Sequence, residues 1–169
     1  MTRLWLLRHA KSSWRDPELP DRLRPLAPRG VRATRTLAGH VREAGIGPDL
    51  VLCSPAVRAV QTWEGVAAGA VAGTAVEIDE ALYGAGAHDL LDRLRRVPPS
   101  VGSVLLIGHN PAMQDLGEGL IGSGDPGLRE RLAAKFPTGA LATLELAGTW
   151  PDLDWGAATL VAYVVPREL

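Results

Sequence analysis

The sequence predicts an α/β fold, a three-layer α/β/α sandwich with a mostly parallel central sheet. Short apolar runs of strand length alternate with longer segments of helical periodicity, as in consecutive βα units. Several of those runs are apolar throughout, as in strands covered on both faces. Proline and glycine stand at the segment boundaries. The 169 residues suit a single domain over 1–169, and 46% hydrophobic with 22% charged residues excludes disorder of the whole chain.

The first strand is expected at Arg3–Arg8, around the run Leu4-Trp5-Leu6-Leu7. Residues 31–44 place Val31, Thr34, Leu37, Ala38 and Val41 on one helical face, with Pro28 just ahead and Gly45 as a stop. Leu50–Cys53 reads as a second strand, and Pro55 permits a helix through about Ala68. Val76–Asp79 reads as a third strand and Leu90–Arg96 as a helix ended by Pro98-Pro99. Val104–Ile107 is the clearest buried strand, with a helical stretch after Gly108-His109-Asn110-Pro111. Gly122–Pro126 reads as a turn-rich loop. Residues 139–146 and 157–165 read as two closing strands, with a turn between them at Trp150–Trp155 that includes Asp152 and Asp154.

Charge and cysteine content narrow the function classes. Formal net charge is −1 from 18 basic and 19 acidic residues, so no broad nucleic-acid footprint is expected. Only Lys11 and Lys135 are lysine; the other basic residues are arginine. The one cysteine, Cys53, excludes an internal disulfide framework and a cysteine-clustered zinc site. Leu4–Leu7 is too short for the core of a signal peptide, and Val66–Val76 too short to cross a bilayer. A cytoplasmic protein with no membrane partner is the expectation; oligomeric state is not encoded legibly.

In a parallel sheet, ligands bind beyond the carboxyl ends of the strands. Three expected strand ends there carry Arg8-His9, Ser54–Arg58 and Gly108-His109. Two guanidinium groups and two imidazoles would share one edge, beside a helix N-terminus begun near Pro55. Guanidinium forks match phosphate oxygens and stay charged. An imidazole beside them can be a general acid or base, or a nucleophile if held neutral. No acidic pair stands at these ends to hold magnesium, and phosphoryl transfer needs chiefly positioning and charge stabilisation. No metal or cofactor is called for.

Leu6-Leu7-Arg8-His9-Ala10-Lys11-Ser12-Ser13-Trp14 resembles the signature of the histidine phosphatase superfamily, with its phosphoglycerate-mutase-like fold. Ser54-Pro55-Ala56-Val57-Arg58-Ala59-Val60-Gln61-Thr62 resembles its second motif and Gly108-His109-Asn110-Pro111 its third. The short chain, the RHAKSSW start and Arg24-Pro25-Leu26 are similar to the SixA-like branch, the protein phosphohistidine phosphatases. The resemblance implies that His9 accepts the phosphoryl group and that Arg8, Arg58 and His109 complete the pocket. It implies phosphate binding by Arg24 and a nearby hydroxyl from Ser12. Ala10 stands where the superfamily commonly has glycine. Larger members take a general acid from a segment after the second motif; Glu80 is the candidate here. The implied substrate is phosphohistidine on a protein.

Blander expectations stand beside these. Arg22 and Arg24 can be solvated loop charges, Ser12 a turn hydroxyl and Glu80 a helix-start acid. Trp14 is expected to be a partly buried packing residue, and Arg93, Arg95 and Arg96 a solvated helix end. His40 and His88 are expected at the surface. Cys53–Arg58 suggests a cysteine phosphatase, but four residues lie between the two where that chemistry needs five. A small-molecule phosphatase or mutase of the same fold, and a non-catalytic phosphoprotein-binding module, are the remaining rivals.

Overall fold

In the computed structural model, which describes residues 1–169, the apolar runs pair into one seven-stranded sheet with helices on both faces. The strands are β1 (Thr2–Arg8), β2 (Leu50–Cys53), β3 (Ala75–Ile78), β4 (Ser103–Gly108), β5 (Ile121–Gly124), β6 (Leu141–Leu146) and β7 (Ala158–Val164). The helices are α1 (Pro28–Glu43), α2 (Val57–Ala67), α3 (Ala87–Arg95), α4 (Ala112–Leu120) and α5 (Pro126–Ala134). Strand order is β3-β2-β4-β1-β6-β7-β5. Neighbours are parallel except at β1–β6 and β6–β7. The sandwich and its mostly parallel sheet are as the sequence predicts.

The alternating face of each strand explains the unbroken apolar runs. Leu4 and Leu6 of β1, with Val104 and Leu106 of β4, pack against Leu90, Leu91 and Leu94 of α3 and Met113, Leu116 and Leu120 of α4. Trp5 and Leu7, with Leu105 and Ile107, pack on the opposite side against Leu37 and Val41 of α1 and Ala59 and Val66 of α2. Both faces are therefore dry, and truncating any of these leucines to alanine removes about 2–5 kcal/mol.

Helix α1 begins on Pro28 and ends before Gly45, whose φ of +65° is the left-handed stop. Thr34, Leu37, Ala38 and Val41 are buried as expected, but Val31 faces solvent and Gly30 takes its place inside. The reason is a close approach: a Cβ on Gly30 would lie 2.1 Å from the Lys11 carbonyl oxygen. The first turn of α1 thus presses on the segment that leaves β1. Helix α2 starts at Val57, not Pro55, because Ala56 is still extended and its N–H is capped by Ser54 Oγ at 3.3 Å.

Two expectations need correction. Residues 122–126 are not simply a loop: Ile121–Gly124 forms β5 and Pro126 opens α5. Ile121-Gly122-Ser123-Gly124 has little intrinsic strand preference and becomes a strand because β7 offers a free parallel edge. The start of α5 does carry local signals, Asp125 capping the Leu128 N–H and Pro126 at the first position. The Arg93–Arg96 run is not a purely solvated end either. Arg93 bonds Asp79 at 2.6 Å and Glu77 at 2.7 Å, and Arg95 reaches the Leu153 carbonyl at 2.7 Å and Asp154 at 3.2 Å. Carboxylates on neighbouring segments draw these arginines inward.

Gly30→Ala is expected to destabilise the fold by about 1–3 kcal/mol through backbone overpacking, measured by urea denaturation, and to disturb residues 9–13 more than the sheet.

Candidate active site

The site begins with strand register. Arg8 lies beside Gly108 in the parallel β1–β4 pair, and Cys53 beside Ile107 in β2–β4. The three strands therefore stop at one level, and the next residues, His9, His109 and Ser54, leave the sheet together. His9 N–H donates to the Gly108 carbonyl at 3.1 Å and Ser54 N–H to the Ile107 carbonyl at 3.1 Å. The two imidazole rings lie 5.1 Å apart, tilted by 54°. Arg58, in the first turn of α2, reaches them from the third strand end: its Nη2 donates to His109 Nδ1 at 3.4 Å. Residues separated by a hundred positions thus share one pocket edge.

Hydrogen bonding fixes the tautomer of both rings. His9 Nδ1 lies 2.7 Å from the Ala10 carbonyl, which can only accept, so Nδ1 carries the proton and Nε2 keeps a free lone pair. His109 accepts from Arg58 at Nδ1, so Nε2 carries the proton and donates to Ser54 Oγ at 2.8 Å. Burial is the main reason that His9 is lowered to about 3, with His109, Arg58 and Arg8 adding repulsion. Burial likewise takes His109 to about 4, with Arg58 and Arg8 lowering it further and Asp21 opposing them. Both rings are neutral at any physiological pH.

Thr62, one turn along α2 from Arg58, holds the His9 loop in place. Its hydroxyl donates to the Arg58 carbonyl at 2.7 Å and accepts from Ala10 N–H at 2.9 Å. On the other side, Gly139 adopts φ +78° and its N–H donates to the carbonyls of Arg8 and His9. Arg8 is half-buried. Its Nη1 donates to the Phe136 carbonyl at 3.1 Å, and it has no carboxylate partner. Burial lowers its pKa. The Nε–H groups of Arg8 and Arg58 are buried without an acceptor.

The acid at the centre of the pocket is Asp21, which sequence reasoning missed. Arg58 donates to its carbonyl at 2.7 Å and to Oδ2 at 3.0 Å, Tyr83 donates its hydroxyl to Oδ2 at 2.6 Å, and Arg24 donates to Oδ1 at 3.2 Å. The Tyr83 hydroxyl is the first cause of an Asp21 carboxyl held at about 2, with Arg58 and Arg24 assisting against some burial. The same bond raises the Tyr83 hydroxyl. Tyr83 also meets His109 edge-on at 5.8 Å. Its only sequence signal is nearness to Glu80; Asp21 has one too, its place beside the arginine-rich stretch before Pro25.

Arg24 and Ser12 are joined to one another. Buried Arg24 donates to Ser12 Oγ at 2.9 Å and to the Ser13 carbonyl at 3.1 Å, so both support the loop after His9. Trp14 corrects its expectation: it is 66% exposed, and the Arg24 guanidinium covers its ring at 3.5 Å. Glu80 is exposed and ion-paired with Arg22, with no contact to either imidazole or to Arg58. His88 is exposed and meets Trp155 edge-on, while His40 is half-buried on α1. Cys53 is fully buried and its thiol is pushed up to about 12, chiefly by burial, the opposite of a reactive thiolate. Beside His109 a cleft of about 230 Å³ opens between Gly84–Ala87 and Gly108–Ala112. His, Cys, Asp and Glu are nowhere grouped in threes as metal ligands, and no helix is long and apolar enough to cross a membrane.

Residues 4–89, which carry His9 and Arg58, match the histidine phosphatase superfamily (branch 1). The chain belongs to that superfamily, and its structure is SixA-like. It resembles the "putative phosphohistidine phosphatase SixA" of Nakamurella multipartitia, with TM-score 0.84 and 31% identity over 98% of this chain and 96% of that one. A protein of the same description from Agrobacterium tumefaciens gives TM-score 0.83 and 30% identity, covering 98% of each chain. An uncharacterized protein of Mycobacterium tuberculosis strain H37Rv is 40% identical over 163 residues, covering 95% of this chain and all of its own.

The buried neutral rings make stability depend on pH. Between the ordinary histidine value of 6.5 and the folded values of about 3 and about 4, the unfolded chain binds protons that the folded chain does not. Stability is therefore full above that window and falls as pH drops through it. Asp21 acts in the same direction lower down, its contribution lost between 3.8 and about 2. The melting temperature should fall between about pH 7 and about pH 4.5. A His9→Asn/His109→Asn variant should show a shallower fall; an unchanged slope would contradict buried neutral imidazoles.

Proposed function

We propose that the protein is a phosphatase that hydrolyses protein phosphohistidine through a covalent phospho-His9 intermediate. The observation that carries this reading is the state of His9: neutral, its Nδ1–H tied to the Ala10 carbonyl, its Nε2 free beside Arg8, Arg58 and His109. A nucleophilic imidazole needs that state, and arginine forks suit the three oxygens of a transferring phosphoryl group. The kinship with SixA-like proteins points to the same class of substrate.

His9 Nε2 attacks phosphorus as the bond from phosphorus to the substrate nitrogen breaks. The substrate ring, protonated on its other nitrogen, departs as neutral imidazole. The positive charge that develops on His9 is shared with the Ala10 carbonyl through Nδ1–H. Arg8, whose Nη2 has no partner, and Arg58 hold the phosphoryl oxygens, and His109, with its Nε2–H on Ser54 Oγ, positions Arg58 through Nδ1. Water then attacks phospho-His9, His9 leaves as neutral imidazole, and phosphate and a proton are released. Such a leaving group needs no strong acid. That agrees with Glu80 engaged by Arg22 instead of the pocket, and it weighs the reading toward phosphoramidates over alkyl phosphate esters. Arg24 and Ser12 serve as supports of the loop after His9, more than as direct phosphate ligands. The setting that suits this substrate class is the cytoplasm.

His9→Ala should abolish turnover and leave the melting temperature within a few degrees; retained activity would overturn the mechanism. Rapid acid-free quenching during turnover should trap label on His9 in a base-stable, acid-labile linkage. Arg58→Lys should lose about 10²-fold in kcat, since a point charge cannot replace a fork. Comparing kcat/KM on a phosphohistidine protein, phosphoserine peptides and sugar phosphates tests the substrate class. A preference for sugar phosphates would favour the small-molecule reading.

A further inference from the structure

Outside the pocket, the strongest unexplained feature is a cleft of about 590 Å³ lined by Lys11, Arg29, Arg32, Lys135 and Arg167. No acidic side chain lines it, and none of these five cations forms an ion pair anywhere in the structure. The neighbouring acid, Glu168, is turned to Arg131 at 2.5 Å. In a chain of net charge −1, that concentration of unpaired positive charge is local and includes both lysines.

The cleft adjoins the phosphate pocket through covalent and hydrogen-bonded neighbours. Lys11 is two residues beyond His9, and its carbonyl anchors Ala27 N–H just before Arg29. Lys135 and Pro137 flank Phe136, whose carbonyl receives Arg8 Nη1 and Asn110 Nδ2. Thr138 precedes Gly139, which holds the carbonyls of Arg8 and His9. The floor is completed by Val165 and Pro166.

We propose that this cleft docks an acidic face of the phosphorylated protein, next to the side chain that enters the pocket. The proposal rests on the phosphohistidine reading and adds the charge of the partner to it. The cleft contains no aromatic side chain on which nucleic-acid bases could stack, so a protein surface of carboxylates with an apolar patch is the better complement. Charges within about a Debye length, about 8 Å at physiological salt, would steer the encounter and act on KM more than on kcat.

The test uses two phosphohistidine peptides of equal length, one flanked by glutamates and one by glutamines, together with phosphoramidate. The wild-type chain should favour the glutamate peptide by about tenfold or more in kcat/KM at low salt, the gain lying in KM and fading with added salt. R29E/R32E/R167E should lose that preference and turn over phosphoramidate as wild type does. Fluorescence anisotropy of the unphosphorylated glutamate peptide reads the cleft without any turnover, and its binding should weaken in the same variant. If both peptides are hydrolysed equally and bind equally, docking is wrong and the phosphohistidine reading stands. If neither peptide is hydrolysed but the glutamate peptide binds through these arginines, the phosphohistidine reading fails and the acidic docking face stands. Equal loss on phosphoramidate would mean that these residues act through the pocket, which overturns the proposal. So would tighter binding of a short single-stranded oligonucleotide than of the glutamate peptide.

Discussion

Two uncharged imidazoles must sit among arginines for this pocket to exist, and burial together with that positive field is what keeps them uncharged. A free histidine is half protonated near 6.5; here His9 is held at about 3 and His109 at about 4. The arginines repel a proton from each ring, while the Ala10 carbonyl decides which nitrogen of His9 keeps the one it has. The arrangement would be poorly held if the guanidinium charges were all unbalanced. Asp21 neutralises Arg58 and Arg24 and is itself kept ionised by them and by the Tyr83 hydroxyl.

The sheet supplies the geometry for this balance. Parallel pairing in register at β1–β4 and β2–β4 brings three chain segments out at one level, so that adjacent positions along three strands become adjacent positions around one pocket. Glycine permits the close contacts that lock the exit loops: Gly30 lets α1 press against Lys11, and Gly139 turns so that one N–H meets two carbonyls. The loop after His9 is then tied at Ser12 by Arg24, at Ala10 by Thr62 and at Leu26 by Gln61. Few of these ties touch a ligand site directly, yet they set the positions of groups that do.

A division of labour between charges follows. The positive charge facing the imidazoles is partly compensated within the pocket, whereas the five cations of the cleft, Lys11 after β1, Arg29 and Arg32 on α1, Lys135 and Arg167, are not. Compensated charge orients a single small anion; uncompensated charge acts at longer range on a large one.

What the chain determines by local pattern is the fold class, most of the strands and the identity of the groups at their ends. Apolar runs buried on both faces, Pro28 and Gly45 at the limits of α1, and Arg8-His9, Arg58 and His109 are all visible because each depends on residue type and short spacing. Tertiary structure alone decided the rest. β5 exists because β7 had an edge to fill, and Arg93 is drawn to Asp79 and Glu77 because they lie beside it only in space. Asp21 and Tyr83 lie 62 positions apart and share one hydrogen bond, Glu80 belongs to Arg22, and Trp14 supports Arg24 from the surface. Pairings of that kind follow from where loops are carried by the packed sheet, and nothing in the spacing of the residues along the chain encodes them.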